Sequence, residues 1–205
     1  MNAFSKYSLV ALILILSIKA NAQVGFRVGY LTTNEVKTES AVGGTDNAIY
    51  SNGFYANVNY DLALPAKAFW LEASPGYSFL EGSLGGMKTT YHNVNIPFHI
   101  KGEYDSLGSE AFPVALYAFA GPLFTIGISA IENHDGNPYL TETRVSMYDK
   151  VLNRFDMKFS AGFGVLLARH FDFRFGYAHG LMDLAQDKDH NTKMSYTYFG
   201  VGYKF

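Results

Sequence analysis

The 205-residue chain has the length of one domain. It contains no cysteine, which excludes disulfides, thiolate metal sites, cysteine nucleophiles and a lipoprotein anchor. Its 16 basic and 18 acidic residues, a formal charge of −2, lack the basic footprint of a nucleic-acid binder, so nucleic acid is not an expected partner.

Residues 1–22 read as a removable export signal: Lys6 supplies the positive start, Leu9–Ile18 the apolar run, and Ala20-Asn21-Ala22 the small-x-small cleavage site. The mature chain would begin at Gln23 and, having lost Lys6 and Lys19, carry a charge of −4. No later stretch reaches the roughly 18 continuous apolar residues of a membrane-crossing helix, so any membrane residence must use strands.

Beyond the signal, apolar residues recur with period two. A first strand is expected over 24–32, with Val24, Phe26, Val28 and Tyr30 opposite Gly25, Arg27 and Gly29. A second, over 53–62, opposes Phe54, Ala56, Val58, Tyr60 and Leu62 to Tyr55, Asn57, Asn59 and Asp61. In the third, 68–80, Phe69, Leu71, Tyr77 and Phe79 oppose Trp70, Glu72, Ser74 and Ser78, and Pro75 marks a bulge or a loss of pairing. The fourth, 90–101, sets Val94, Ile96, Phe98 and Ile100 against Asn93, Asn95, His99 and Lys101, with Pro97 a second irregular point. The fifth, 113–126, is ambiguous: Leu116, Ala118 and Phe124 form one side, yet Tyr117, Phe119 and Leu123 make the other apolar too. Clean alternation returns over 154–168, where Phe155, Phe159 and Phe163 oppose Asp156, Lys158 and Ser160, and over 170–182, where Phe171, Phe173 and Phe175 oppose Asp172 and Arg174. The last strand, 194–205, opposes Phe199, Val201, Tyr203 and Phe205 to Tyr198, Gly200, Gly202 and Lys204.

Eight strands of this kind predict an all-β fold, an eight-stranded antiparallel up-and-down transmembrane β-barrel spanning residues 23–205. Both termini would lie in the periplasm, with long connections at 33–52, 81–89, 127–153 and 183–193 outside and shorter ones at 63–67, 102–112 and 169 inside. A soluble barrel would enclose its apolar residues instead. Charges on the opposite parity favour the inverted arrangement, in the cell outer membrane and in contact with its lipid. Tyr30, Tyr60, Phe69, Phe79, Phe171 and Tyr203 fall near strand ends, where aromatic girdles sit. The lumen would hold an ion-pair network of Arg27, Asp61, Glu72, His99, Lys101, Asp156, Lys158, Asp172, Arg174 and Lys204: five bases and four acids, plus one histidine. Hairpin symmetry pairs Asp172 with Lys204, and Glu72 with His99 and Lys101.

The run Asn93-Val94-Asn95-Ile96-Pro97-Phe98-His99-Ile100-Lys101 and the later Leu116-Tyr117-Ala118-Phe119-Ala120-Gly121-Pro122 resemble stretches of PorT-type outer-membrane barrels of Bacteroidetes-type bacteria. So do Arg154-Phe155-Asp156, Ser160-Ala161-Gly162-Phe163-Gly164, Arg174 through Leu181, and Gly202-Tyr203-Lys204-Phe205; the likeness covers 93–205, and His99 departs from it. Most members have no assigned activity. The resemblance implies an outer-membrane barrel and no particular role; the role expected here is structural, or that of a binding or accessory component of an envelope complex through the outer loops 33–52 and 127–153, and Phe199, Val201, Tyr203 and Phe205 look like a signal for the barrel-assembly machinery.

Small outer-membrane barrels include lipid-modifying enzymes, and His179 is the best base here. Gly180-Leu181-Met182 stand where the serine of a lipid A deacylase would follow, and a base without its nucleophile performs no acyl transfer. No enzyme, cofactor or metal site is therefore expected. Calcium at Asp183, Asp187 and Asp189 is conceivable, although their spacing is not that of an EF-hand loop. A small-solute channel is the remaining alternative.

Overall fold

A computed structural model describes residues 22–40, 50–66, 68–84, 87–109, 112–133, 144–150, 152–186 and 190–205. The expected signal segment lies outside these residues, except for Ala22. The strands are β1 (Ala22–Ser40), β2 (Ser51–Ala63), β3 (Phe69–Ala73), β4 (Gly76–Leu84), β5 (Met87–Ser109), β6 (Phe112–Asn133), β7 (Arg144–Ser146), β8 (Phe155–Leu167), β9 (Phe171–Gly180) and β10 (His190–Lys204). A single helical turn, α1 (Met147–Lys150), follows β7.

All pairings are antiparallel, and β10 closes the ring onto β1, with Phe26 opposite Tyr203 and Val28 opposite Val201. Because β3 and β4 share one stave, both lying between β2 and β5, and β7 only fringes β6, the ring has eight staves in up-and-down order. The fold is thus an eight-stranded antiparallel barrel. Ala22, Ala63, Phe69, Ser109, Phe112, the turn at 168–170 and Phe205 gather at one end, called the near end below.

The period-two sets face as expected. Phe54, Val58, Phe159, Phe163 and Phe199 are exposed on the outer wall, whereas Arg27, Glu72, Lys101, Lys158 and Arg174 are enclosed. The ambiguous fifth strand resolves in a way its alternation could not show: Tyr117, Phe119 and Leu123 point inward. They join Leu31, Leu80, Tyr91, Tyr196 and Tyr198 in an apolar filling, so the lumen is not uniformly polar. Glycine makes room for these rings: a Cβ on Gly164 would lie 2.3 Å from the Tyr117 ring.

Strands run past the expected limits. β5 spans 23 residues and β6 spans 22, while about 9–11 suffice to cross a bilayer. The expected inner loop at 102–112 is strand on both sides. A register shift between Tyr104 and Leu107, followed by Gly108 at φ +89°, breaks the alternation there and disguises it. Likewise 81–89 is a tight β4–β5 hairpin, Leu84 pairing with Met87. Of the expected 33–52 loop, 33–40 belong to β1 and 41–49 lie outside the described residues.

The β8–β9 turn is strained. Ala168 and Arg169 both have positive φ, 51° and 60°, and His170 N–H donates to the Leu167 carbonyl at 3.0 Å, as in a type I′ turn. L-residues without a local side-chain acceptor occupy that region at a cost of about 1–2 kcal/mol. Bonds from Ala168 N–H to Pro113 O (2.8 Å) and from Lys204 N–H to His170 O (2.8 Å) pin the turn in place. Ala168→Asn is expected to stabilise the fold by about 0.5–1 kcal/mol, read as a raised urea midpoint with an unchanged slope.

Candidate functional site

The enclosed charges sort by height into three groups, each electrically balanced. In the middle group Arg174 binds Glu72 through both ends of its guanidinium, Nη1 to Oε1 and Nη2 to Oε2 at 2.6 Å each. This planar fork is the strongest form of ion pair. Ser74 Oγ donates to Glu72 Oε1 at 2.9 Å, and His99 Nδ1 lies 3.5 Å from the same oxygen. Arg27 donates to Asp172 Oδ2 from Nε (3.1 Å) and Nη2 (2.5 Å), and Tyr117 Oη donates to Asp172 Oδ1. The Arg174 guanidinium also lies 4.1 Å from the centre of the Phe119 ring.

At the near end Asp61 Oδ2 accepts from both Lys101 Nζ (2.6 Å) and Lys204 Nζ (2.5 Å), and Glu103 takes a second bond from Lys101 at 2.7 Å. In the third group Lys158 donates to Asp156, two residues away on β8, with its ammonium 5.6 Å from the Tyr196 ring. The ten expected network residues thus all lie inside the barrel, and the structure adds Glu103, which makes the acids five against five bases. Glu103 continues the parity of His99 and Lys101, but it lay in what read as a loop.

One expected pair does not form. Asp172 meets Arg27 rather than Lys204, because β9 and β10 pair with Gly202, not Lys204, opposite Asp172. The register is two residues away from hairpin symmetry. Gly202 also faces Arg27 on its other side, and the lack of a side chain there lets Arg27 reach over β10 to Asp172. Glu72 does face His99 in register, while Lys101, opposite Trp70, bonds to Asp61 and Glu103.

The far end is closed by packing. Tyr148 of α1 lies against Gly127 and donates from Oη to Asn93 Oδ1 at 2.7 Å; its burial pushes this phenol above its usual pKa range and keeps it a donor. Leu152, Leu184 and Met194 pack beside it. Gln186 Nε2 ties the lid together through the carbonyls of Tyr148 (3.1 Å) and Leu152 (2.9 Å). A three-residue strand and a single helical turn carry too little periodicity to be read from sequence. The near end opens instead into a pocket of about 400 Å³ lined by Trp70, Glu103 and Arg169.

His179 is exposed on the outer wall, and directly opposite it on β10 stands Ser195, whose Oγ is 3.4 Å from His179 Nδ1 and accepts from Gly180 N–H at 3.0 Å. The serine that sequence reasoning sought just after the histidine thus comes from the neighbouring strand. No described carboxylate orients the far side of the imidazole, so triad order is not met. Asp183 Oδ1 accepts from Ala185 N–H (3.0 Å) and Thr192 N–H (2.8 Å), as a turn anchor does, and Asp187 and Asp189 lie outside the described residues. Among the described residues no three histidines or carboxylates are grouped as metal ligands would be.

Fold and site together define a closed β-barrel dressed in reverse, apolar without and ionic within. No family model matches the chain, and no curated protein does. Among solved structures it is similar to Ail, the attachment invasion locus protein of Yersinia pestis (14% identity, 90% of this chain and 99% of that one, TM-score 0.46). It is also similar to Neisserial surface protein A (11%, 88% and 95%, 0.48) and to the outer membrane protein OprG of Pseudomonas aeruginosa (12%, 90% and 96%, 0.44).

Proposed function

We propose that this protein is an integral outer-membrane barrel of the PorT type, with both termini in the periplasm and a side-chain-filled lumen, serving as a structural or binding component of an envelope complex rather than as an enzyme. The observation that carries this reading is the inverted dress: Phe163 is 61% exposed at mid-strand, whereas Lys101 and Glu72 are 0% exposed. Water would have selected the opposite arrangement, and hydrocarbon selects this one.

The electrically balanced, packed lumen favours a plug over a solute channel. Binding partners would then be met at the far-end lid and at the connections that follow β1 and β6, the parts of the expected loops 33–52 and 127–153 that are not strand or helical turn. Phe199, Val201, Tyr203 and Phe205 form the outward face of the closing strand, as a sequence read by the barrel-assembly machinery would; Phe199 and Phe205 are 50% and 74% exposed. Residues 1–22 would direct export and be removed.

Gel migration in detergent tests the reading. Mature protein folded in detergent is expected to run faster unboiled than boiled, since a membrane barrel resists the detergent until heated. Identical migration of both samples, with the protein recovered in the aqueous fraction, would overturn it.

A further inference from the structure

The lumen-facing residues of β2 are Ser51, Gly53, Tyr55, Asn57, Asn59 and Asp61. All but the glycine carry a buried atom that no group among the described residues meets: Ser51 Oγ, Tyr55 Oη, Asn57 Oδ1, both amide atoms of Asn59 and Asp61 Oδ1. Elsewhere among the described residues only His99 Nε2 and Asp156 Oδ1 share this condition. Buried polar atoms are almost always satisfied, so their concentration on one strand points to something bound there. The arginines, lysines and tyrosines of other staves are long enough to cross the lumen, whereas the asparagines of β2 are not. Asn59 also stands opposite Gly25 of β1, and on its other flank the ladder is interrupted between Tyr60, opposite Ala73, and Asn57, opposite Gly76. There Ser74 Oγ is already committed to Glu72.

Tyr55, Asn57 and His99 line a cavity of about 40 Å³ together with Leu31, Leu123 and Tyr196. A water needs about 10–15 Å³ of such space, so about two or three fit and an organic solute does not. The unmet atoms suit water as well. The Tyr55 hydroxyl and Asn59 Nδ2 donate, whereas Asn57 Oδ1, Asn59 Oδ1, Asp61 Oδ1 and His99 Nε2 accept, the His99 ring proton being drawn to Nδ1 beside Glu72. A metal cation would meet the ammonium groups of Lys101 and Lys204 beside Asp61, and an anion would meet the unpartnered oxygen of Asp61. The lower end of this row lies beside the near-end pocket: Gln23 and Glu103 line that pocket, Gln23 is the ladder partner of Asp61, and Glu103 shares Lys101 with it. The upper end is stopped. Gly53 stands between Leu31 and Leu80 in one row of the wall, both leucines are buried, and Ser51 lies beyond them.

We propose that the inner face of β2 from Asp61 to Tyr55 is a blind water well, a short file of bound waters that fills from the near end and stops at Leu31 and Leu80. Each water bridges atoms that no side chain reaches, and its immobilisation costs less than the bonds it makes. The file passes no solute and leaves the lumen plugged. A few held waters also supply hydrogen bonds without the bulk dielectric that would screen Arg174 from Glu72. The well divides the lumen in function: the near half exchanges with solvent, and the part past the two leucines does not.

Radiolytic hydroxyl labelling tests the well, since radicals formed by X-rays from bound water mark the side chains beside it. In mature protein folded in detergent, Tyr55 and the 2% exposed His99 are expected to be oxidised severalfold faster than Tyr91, which is also 2% exposed but stands in the row of Leu80. Asn59→Leu, which sets an apolar group across the file, is expected to lower the labelling of Tyr55 and His99 severalfold and to leave Tyr91 unchanged. Its stability is a second readout. Where Asn59 is hydrated, the exchange removes bonds to water and the urea midpoint stays or falls; in a dry lumen it would remove two stranded polar atoms and raise the midpoint. Labelling of Tyr55 and His99 no faster than that of Tyr91, labelling untouched by Asn59→Leu, or a raised midpoint would refute the well, and the wild-type comparison decides even if the variant fails to fold. Wild-type protein without heat-modifiable migration would count against the membrane reading and not against the well, which the labelling decides in either medium.

Discussion

Glu72→Leu is expected to destabilise the barrel by about 3–5 kcal/mol, the usual cost of removing one partner from a buried ion pair. The acid is fully enclosed and meets Arg174 through two 2.6 Å bonds, Ser74 at 2.9 Å, His99 at 3.5 Å and Arg27 at 3.6 Å. Among the described residues its loss leaves Arg174 with the Tyr117 hydroxyl at 3.2 Å and aromatic faces, which cannot replace a carboxylate, while the nearby Asp172 is already bonded to Arg27. Urea unfolding of protein inserted in phospholipid vesicles measures the effect. The double variant Glu72→Leu/Arg174→Leu is expected to recover a substantial part of it, since an apolar pair of similar volume carries no stranded charge. A loss below about 1 kcal/mol in the single variant would show that water reaches the cluster and screens it.

Phe163→Arg should cost about 2–4 kcal/mol in the same vesicles if the outer wall meets hydrocarbon near the bilayer midplane. The ring is 61% exposed and meets Phe175 at a tilt of 40°, with centroids 5.6 Å apart, so lost packing alone would cost far less. In a barrel surrounded by water the same change would be neutral or would aid solubility. Vesicle unfolding together with gel migration separates the two outcomes, and a neutral result would dismiss the hydrocarbon environment.

Alternation was legible wherever one face of a strand meets the exterior and the other the lumen, as in Phe171 through Ala178. It failed where that contrast fails. Beyond the apolar belt both faces of a strand are alike, so residues 102–109 of β5 and 127–133 of β6 read as loops. The bulge between Tyr104 and Leu107 broke the alternation just past Glu103, so the whole of 102–112 read as a loop and Glu103 was missed with it. Tyr117 and Phe119 pointed inward against the rule because their neighbours Gly162 and Gly164 leave room for rings, a complementarity that exists only between strands. The set of enclosed charges could be read from parity, Glu103 apart, but the partners only in part: Glu72 does face His99, whereas an offset of two residues moved Asp172 from Lys204 to Arg27. Pro75, Pro97 and Pro122 likewise become neighbours only once register is known.

Arg27 and Asp172 come from opposite ends of the chain, 145 positions apart, and their bond crosses the joint where the last strand docks on the first. Lys204 reaches Asp61 over the same joint, with 143 positions between them. An open sheet in hydrocarbon would part Asp172 from Arg27 and Lys204 from Asp61, although Asp61 would keep Lys101 and Arg27 the more distant Glu72, so a partly zipped ring is penalised and insertion becomes all-or-none. The charges thus act as a latch that engages only when the circle is complete.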